Sequence, residues 1–326
     1  MKRFLGLLVL ILLLTDCDDG NLTVENISFG EVNAFSCGEI VYKLKGSEAL
    51  FLKIPATANA FKNEITPPDA PIIIPITTNV IVRYRAYSGN VTSDNVCPDV
   101  IQPISPVVTV EWIATSGNIE ITTTAIYSTP DAATGATTLL KYNHNIVFTN
   151  ITFSKTSGEQ RYDTFSFGDY ATTATNLPLG FVSDNVRICP SNNTIYNAAD
   201  GGIEALVIQN IDPALLATTN LNSPKTGLIS ATTNKISYRL FTTALITGSN
   251  PDYFCQAVFP DMPAVNEEWL ADNGVSSTLG AIEITTTNTP AQNVYKHTIR
   301  LKGVTFRKGR STFYYGNDIL LGELIF

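Results

Sequence analysis

The chain has few of the residues on which most enzymes and nucleic-acid-binding proteins depend. Its 326 residues include two histidines and five cysteines, so metal-dependent or histidine-based chemistry is poorly supplied. Charged residues make up only 15% of the chain, the net charge is −8, and no lysine- or arginine-dense arm is present that could neutralise a run of phosphates. Because nucleic-acid binding needs clustered cations to neutralise phosphates, the sequence predicts no nucleic-acid partner.

Sequence motifs of common enzymes are also absent. The chain contains no Gly-x-Ser-x-Gly, no His-Glu-x-x-His, no phosphate-binding glycine loop and no calcium loop. The sequence therefore predicts no cofactor and no metal, and it assigns no catalytic residue. A pair of catalytic carboxylates stays an alternative, because the two acids of a glycosidase are neighbours in space and not in sequence.

The apolar run at the N-terminus is too short for a membrane-spanning helix. It extends from Phe4 to Leu14, which is 11 residues, whereas a spanning helix needs about 20. The run follows Lys2 and Arg3, and a short apolar run after positive charges is typical of a signal peptide. We therefore expect residues 1–16 to be a signal peptide.

The segment Leu14-Thr15-Asp16-Cys17 resembles the lipobox of Bacteroidota cell-surface lipoproteins, with Asp16 where a small residue is usual. The resemblance implies that Cys17 carries the lipid and is the first residue of the mature chain. The acidic residues that follow, Asp18 and Asp19, are similar to the signal for display on the outer membrane. We therefore expect residues 17–25 to be a lipidated tether at the cell surface. The alternative is a secretory signal cut elsewhere, with Cys17 a spare thiol.

Two parts of the chain resemble each other in a collinear series of motifs. The longest shared spacing is Pro-x-x-Pro-x-Val-x-x-Glu-Trp, which ends at Trp112 in the first copy and at Trp269 in the second. Ile-Glu-Ile-Thr-Thr-Thr follows in both copies, and then Tyr-x-His-x-Ile, with the histidines at His144 and His297. The series predicts two domains built from one repeated unit.

The polar stretch 155–161 has no apolar period and predicts the boundary between the copies. We expect a first β domain at 26–155, a linker at 156–161 and a second β domain at 162–326. Four cysteines remain besides Cys17, an even number that suits an oxidising compartment. Their places in the two copies predict one disulfide in each domain, with the pairs Cys37 to Cys97 and Cys189 to Cys255.

The apolar pattern predicts a mainly β fold. Segments such as 80–85 and 299–302 alternate apolar and polar residues, as half-buried strands do, and Pro, Gly and Asn mark many turns. We expect two tandem β-sandwich domains with an immunoglobulin-like topology, and a barrel is the alternative. We expect at most a short helix in each domain. In the second copy, Pro263 at the start and Gly274 beyond the end predict this helix over 264–271.

The two tryptophans each follow a glutamate, so they could stack on a sugar ring beside a hydroxyl acceptor. We favour the other interpretation, that Trp112 and Trp269 are core residues, because both are repeated on an apolar stripe. For the same reason we expect His144 and His297 to be hydrogen-bonded imidazoles within the fold and not metal ligands.

The expected function is that of a surface lipoprotein that binds a glycan or an outer-membrane protein without catalysis. The alternative is an extracellular glycan hydrolase that uses paired carboxylates. Any binding surface is expected where the two copies differ. The first candidate is the segment from Ala171 to Asp184, and the second is a basic hairpin formed by Arg300, Lys302, Arg307, Lys308 and Arg310.

Overall fold

The computed structural model describes residues 27–97, 105–247 and 252–326. The predicted signal peptide, Cys17 and the predicted tether lie outside these residues. The described chain is mainly β: it forms two antiparallel sheets, and its longest helix is the four-residue 3-10 turn Pro213–Leu216. In this part of the chain no helix has the length and apolar character needed to span a bilayer.

The first sheet contains eight strands. They are β1 (Phe35–Cys37), β2 (Ile40–Lys45), β3 (Glu48–Lys53), β4 (Ile72–Pro75), β5 (Ile81–Tyr87), β6 (Val108–Tyr127), β7 (Leu139–Lys155) and β8 (Gly158–Thr173). Their order is β1-β2-β3-β5-β6-β7-β8, and β4 lies against β6 beside β5.

The second sheet contains nine strands. They are β9 (Val186–Cys189), β10 (Thr194–Asn197), β11 (Glu204–Gln209), β12 (Pro224–Leu228), β13 (Lys235–Phe241), β14 (Val265–Ala271), β15 (Ala281–Asn288), β16 (Tyr295–Lys308) and β17 (Ser311–Ile325). Their order is β12-β15-β16-β14-β13-β11-β10-β9, and β17 pairs with β16.

The long central strands curl each sheet around a core. Strand β6 pairs with β5 through its first part and with β4 through its second, and the register with β7 shifts near Gly117. Gly117 has a φ of +122°, and a Cβ there would lie 2.7 Å from the Cα of Ile151. The bend therefore needs glycine at this position, because any side chain would separate β6 from β7.

In the second sheet, β14 and β15 occupy the places that the two parts of β6 occupy in the first. The remaining strands then correspond one to one, from β1 and β9 to β8 and β17. Tyr84 faces Trp112 across strands β5 and β6, and Tyr238 faces Trp269 across β13 and β14. These two β-sandwich-like units confirm the predicted fold class of a mainly β chain with two tandem β domains.

Each domain has an apolar cluster on both faces of its sheet. The inner cluster of the first domain surrounds Trp112, and that of the second surrounds Trp269. On the outer face, the segment after β5 packs on Tyr42 and Phe51, and the segment after β13 brings Phe254 onto Tyr196. These covering segments explain how a curled sheet buries apolar side chains on both of its faces.

The predicted domain boundary is wrong. Lys155 and Gly158 are paired residues at the ends of β7 and β8, so the polar stretch is a tight hairpin turn inside the first sheet. The chain leaves this sheet only after Thr173, and residues 162–173 belong to the first domain. A hairpin turn and a linker have the same polar composition, and only the pairing of the flanking strands separates the two.

The helix expected over 264–271 is also absent, because residues 265–271 form strand β14. Within this strand Trp269 faces the core while its neighbours Glu268 and Leu270 are exposed, and this alternation is that of a strand. Pairing with β13 overrides the helix-start signal of Pro263, which instead follows a cis peptide bond.

The two domains contact each other through the hairpin between β6 and β7. Backbone hydrogen bonds run from Thr137 N to Tyr314 O, at 2.8 Å, and from Asn317 N to Thr134 O, at 2.7 Å. Beside them, the Tyr142 hydroxyl lies 3.0 Å from Ser311 Oγ in a buried contact. The domains therefore share a polar interface in addition to the chain that connects them.

Candidate functional site

The structure places both tryptophans inside the domains, where the sequence predicts them. Trp112 and Trp269 are each 2% exposed. The ring of Trp112 lies 5.2 Å from Tyr84, and that of Trp269 lies 5.2 Å from Phe313. Because both rings are buried, neither tryptophan can stack on a sugar ring.

Trp269 is positioned near the boundary between the two domains by a hydrogen bond to a carboxylate that also forms an ion pair. Its Nε1 donates to Glu267 at 2.8 Å, and Lys308 lies 3.0 Å from the same carboxylate. Thr175 also donates a hydrogen bond to Glu267. These donors lower the pKa of Glu267 against the effect of its burial, so the carboxylate stays ionised and binds Trp269, β16 and the interdomain segment together.

The two histidines are fully buried. Nδ1 of His144 lies 2.8 Å from Thr123 Oγ1, and its Nε2 lies 2.9 Å from Thr172 Oγ1. Burial lowers the pKa of His144 to about 4, so the ring is neutral at pH 7. His297 makes the equivalent contact with Thr286 and stacks on Phe326, and its Nε2 has no hydrogen-bond partner among the described residues.

The cysteines form the two predicted disulfides. Cys37 pairs with Cys97 and Cys189 pairs with Cys255, with Cα atoms 5.8 and 5.0 Å apart. Each bridge joins the first strand of a sheet to the segment that covers its outer face. Asp252 lies beside the second bridge, but both sulfurs there are bonded to each other and the carboxylate accepts from Tyr196 and Phe254, so this group is not a free metal site.

Ion pairs occupy the basic hairpin that the sequence indicates as a binding surface. Arg300 pairs with Asp318, Lys302 with both Glu283 and Asp318, and Lys308 with Glu267. Arg307 forms two hydrogen bonds with Asp272, at 2.7 and 2.9 Å. Most of the positive charge is therefore neutralised within the second domain itself.

The other predicted surface, residues 171–184, is used largely for packing. Phe181 packs against Tyr238, and the backbone N–H groups of Leu179 and Gly180 each donate to Glu204 at 2.9 Å. The first domain contains a related arrangement, in which Phe29 packs on Tyr84 and the Tyr84 hydroxyl donates to Glu48. Residues 171–173 therefore end β8 of the first domain, and residues 174–184 lead into the second domain and pack against it.

A cleft in the first domain combines partly buried aromatic rings with exposed polar groups, and we call it the Phe61 cleft. Its volume is about 250 Å³. The turn between β1 and β2, the 3-10 turn Ala56–Ala58 and the end of β8 form its walls. The side chains that distinguish it are Glu39, Asn59, Phe61, Lys62 and Tyr170.

The two aromatic rings of the cleft pack against each other and against a buried histidine. Phe61 and Tyr170 meet edge to face at 5.0 Å, and the buried His144 ring lies 5.3 Å from Phe61 and 6.0 Å from Tyr170. The Tyr170 hydroxyl donates to Ser36 Oγ at 3.0 Å. The neutral imidazole therefore contacts both rings, and both aromatic side chains line the cleft.

Polar contacts fix the rim of the Phe61 cleft. Glu39 accepts a hydrogen bond from Ala56 N at 2.9 Å and keeps 42% of its side chain exposed. Asn59 adopts a left-handed backbone with φ of +48°, which ends the 3-10 turn and leaves its side chain exposed beside Lys62. The cleft thus offers a carboxylate acceptor, an amide and an ammonium donor around two rings.

Each of four clefts in the described part of the chain is lined by one carboxylate or by none. The Phe61 cleft has Glu39, the cleft between the domains has Asp131, a small cleft in the second domain has Glu204, and the open groove along β5 and β6 has none. Asp131 accepts three hydrogen bonds from its own turn, which lower the pKa of this carboxyl. Glu204 accepts three from its own domain.

The amino-acid sequence alone does not indicate the Phe61 cleft. Phe61 and Tyr170 are 109 residues apart and lie outside every motif that the two copies share. Only their departure from the repeat could have indicated them, because the residue at the place of Tyr170 in the second sheet, opposite His297, is Leu324. A comparison of the chain with protein-family models, with curated proteins and with solved structures finds no match in any of the three.

Proposed function

We propose that the chain is a lipid-anchored protein of the bacterial outer-membrane surface that binds a saccharide in the Phe61 cleft without catalysis. The observation that carries the proposal is the pair of rings, Phe61 and Tyr170, among three exposed polar side chains. A sugar has apolar C–H faces and a rim of hydroxyls. Aromatic rings pack against the C–H faces of a sugar, and side chains that donate or accept hydrogen bonds, such as Lys62 and Glu39, bind its hydroxyls.

The cleft favours binding over hydrolysis. A glycosidase needs two carboxyl groups on opposite sides of the scissile bond, and Glu39 is the one carboxylate that lines this cleft. Glu39 also holds the 3-10 turn through Ala56 N, and a catalytic acid would have to give up that role. The arrangement supports a binding module, which is the first of the two functions that the sequence suggested.

The disulfides support an extracytoplasmic location. Each bridge closes a long segment over an apolar face, and such bonds persist in oxidising compartments. Together with the lipobox-like segment at Cys17, they support a mature chain that is tethered outside the cytoplasm by two or three acyl chains. The outer membrane, reached through that lipid, is the partner that we propose for the N-terminal segment.

Replacing Cys17 with serine is expected to release the protein from the membrane, because no thiol remains for lipid attachment. The measurement is fractionation of bacteria that express the wild-type and Cys17→Ser chains, followed by intact-mass analysis of the mature protein. Asp16→Ala serves as the control, since it keeps the thiol. Two results together would contradict the proposed anchor. The Cys17→Ser protein would stay in the membrane fraction, and the mass of the mature wild-type protein would show no acyl chains.

Replacing Phe61 with leucine is expected to weaken saccharide binding at least tenfold while the fold is retained. Leucine fills much of the same volume but removes the ring, and a tenfold loss corresponds to about 1.4 kcal/mol. Binding is measured on an array of neutral and N-acetylated oligosaccharides and then by calorimetry with the best oligosaccharide. Phe35→Leu is the matched control, because Phe35 is exposed in the same domain and does not line the cleft.

Two outcomes would contradict the proposed saccharide site. In the first, the wild-type protein binds no oligosaccharide on the array. In the second, Phe61→Leu and Phe35→Leu bind with the same affinity as the wild type, which would place any binding elsewhere. Release of a shortened oligosaccharide during calorimetry would favour the hydrolase instead.

A further inference from the structure

A second concave surface of the first domain lies on the outer face of the sheet, and we call it the Arg83 groove. It is an open groove of about 510 Å³ along β5 and β6. Arg83 and Ile113 are paired residues on these strands and both face outward, because their neighbours Tyr84 and Trp112 face the core. The groove is lined by Thr77, Thr78, Ile81, Arg83, Ile113 and Thr115.

The groove carries a cation that its surroundings neutralise only in part. One carboxylate, Glu111, serves two guanidinium groups: Arg85 Nε lies 2.6 Å from Oε1, and Arg83 Nε lies 3.6 Å from the same oxygen. Arg85 is nearly buried and takes the hydrogen bond, whereas Arg83 is 25% exposed. Arg83 Nε is buried and has no hydrogen-bond partner among the described residues. Among the residues that the structure describes, two positive charges therefore face one negative charge.

The position of the Arg83 guanidinium is fixed before any ligand binds. Its central carbon lies 5.9 Å from the centre of the Phe51 ring, and that of Arg85 lies 5.3 Å from the same ring. An aromatic face holds a cation in place by electrostatic attraction. An anion that meets Arg83 therefore loses less free energy to ordering of the side chain than one that meets a mobile surface lysine.

The second domain provides an internal comparison. The residue at the place of Arg83 is Ser237, which pairs with Leu270 and is almost completely buried. The residue at the place of Arg85 is Arg239, which has Glu268 to itself at 2.7 Å. The excess cation is therefore a feature of the first domain and does not follow from the strand arrangement that both domains share.

The surroundings of Arg83 indicate the chemistry of the ligand. A guanidinium group recognises a carboxylate through parallel hydrogen bonds. Threonine hydroxyls at the rim suit a hydroxylated ligand: Thr115 Oγ1 already donates to Thr152 O and can accept, and Thr77 Oγ1 already accepts from backbone N–H groups and can donate. Ile81 and Ile113 suit the apolar face of a ring. An extended peptide would need free backbone groups, but Ile113 is already paired with Arg83 on one side and with Ser154 on the other.

We propose that the Arg83 groove binds a carboxylate-bearing sugar unit of an acidic polysaccharide. Arg83 pairs with the carboxylate, and the threonine hydroxyls contact the hydroxyls of the sugar. This site is separate from the Phe61 cleft. Binding there does not require that the cleft bind a saccharide.

The test is calorimetry of the full mature chain with soluble oligomers of galacturonate, alginate and hyaluronate. We expect at least one of these oligomers to bind, and we expect Arg83→Gln to lower its affinity at least tenfold. Arg83→Lys should give an intermediate loss, because lysine keeps the charge and loses the planar pair of donors. Raising the salt concentration from 50 to 500 mM should weaken binding to the wild-type chain.

A matched variant separates this site from general charge effects. Arg161→Gln removes an exposed arginine from β8 of the same sheet and should leave binding unchanged. Thermal unfolding of each variant checks that the domain is folded. The proposal is overturned if no acidic oligosaccharide binds, if Arg83→Gln and Arg161→Gln lose affinity equally, or if polyglutamate peptide binds as tightly as the oligosaccharide.

Discussion

Replacing Trp269 with alanine is expected to lower the free energy of unfolding of the second domain by about 3 to 5 kcal/mol. The side chain is 2% exposed and packs against Phe313, so its removal leaves a cavity in the core. It also leaves Glu267 without one of the donors that keep this buried carboxylate ionised. The Trp112→Ala substitution should destabilise the first domain by a similar amount for the packing reason alone.

Hydrogen exchange measured by mass spectrometry can assign each loss of stability to one domain. Peptides of the second sheet should lose protection in Trp269→Ala, and those of the first sheet should lose it in Trp112→Ala. Trp269→Phe is the control, because it keeps an aromatic ring in the core while it loses the bond to Glu267 and part of the volume of the indole, so its loss of stability should be smaller. If Trp269→Ala keeps its protection and the protein loses saccharide binding, the tryptophan has a binding role and the structural prediction is wrong.

Removing one disulfide is expected to cost its domain up to about 4 kcal/mol. The bridges join residues 60 and 66 positions apart in sequence, and the entropy of closing loops of this length in the unfolded chain gives that figure. The double substitution Cys189→Ala with Cys255→Ala is the suitable variant, because alanine leaves no buried hydroxyl at the fully buried Cys189. Unfolding is followed in denaturant under non-reducing conditions.

The matching variant of the first domain, Cys37→Ala with Cys97→Ala, tests whether the bridges act independently. Each double variant should destabilise its own domain and leave exchange protection in the other domain nearly unchanged. Peptide mapping of the wild-type chain without reductant provides the complementary check. A peptide that links Cys97 to Cys189 would contradict the pairing, and an unchanged denaturation midpoint in both double variants would contradict the stabilising role.

The strand content and the disulfide pairing could be predicted because the two copies constrain each other. Alternating residues in both copies indicate strands, and Cys37 and Cys189 occupy corresponding first strands of the two sheets. A repeated motif thus carries three-dimensional information, since equivalent residues occupy equivalent places. The cores around Trp112 and Trp269 follow from the same argument.

The domain boundary could not be predicted in this way. The turn between Lys155 and Gly158 and a true linker are both short, polar and rich in small residues, so local composition does not distinguish them. The position of the domain boundary depends on whether β8 pairs with another strand. Its pairing with β7 extends over most of both strands. A strand that completes a sheet is defined by long-range pairing and not by its own sequence.

The Phe61 cleft could not be predicted for a related reason. Phe61 follows a 3-10 turn after β3, and Tyr170 lies near the end of β8, at opposite ends of the first domain in sequence. The curl of the sheet brings them within 5.0 Å of each other, and the buried His144 fixes their orientation. A site of this kind depends on the curvature of β6 and β7, which no short motif encodes.

The hydrogen bonds between the β6–β7 hairpin and β17 determine how the protein carries a mechanical load. A force that pulls the two domains apart acts on these hydrogen bonds as well as on the segment of chain that connects the domains. The bonds at Thr137, Asn317 and Tyr142 lie side by side, so they share this tension and have to break together. If only a flexible linker joined the domains, it would extend under tension and the domains would separate. With these hydrogen bonds in place, the two domains are expected to resist tension together.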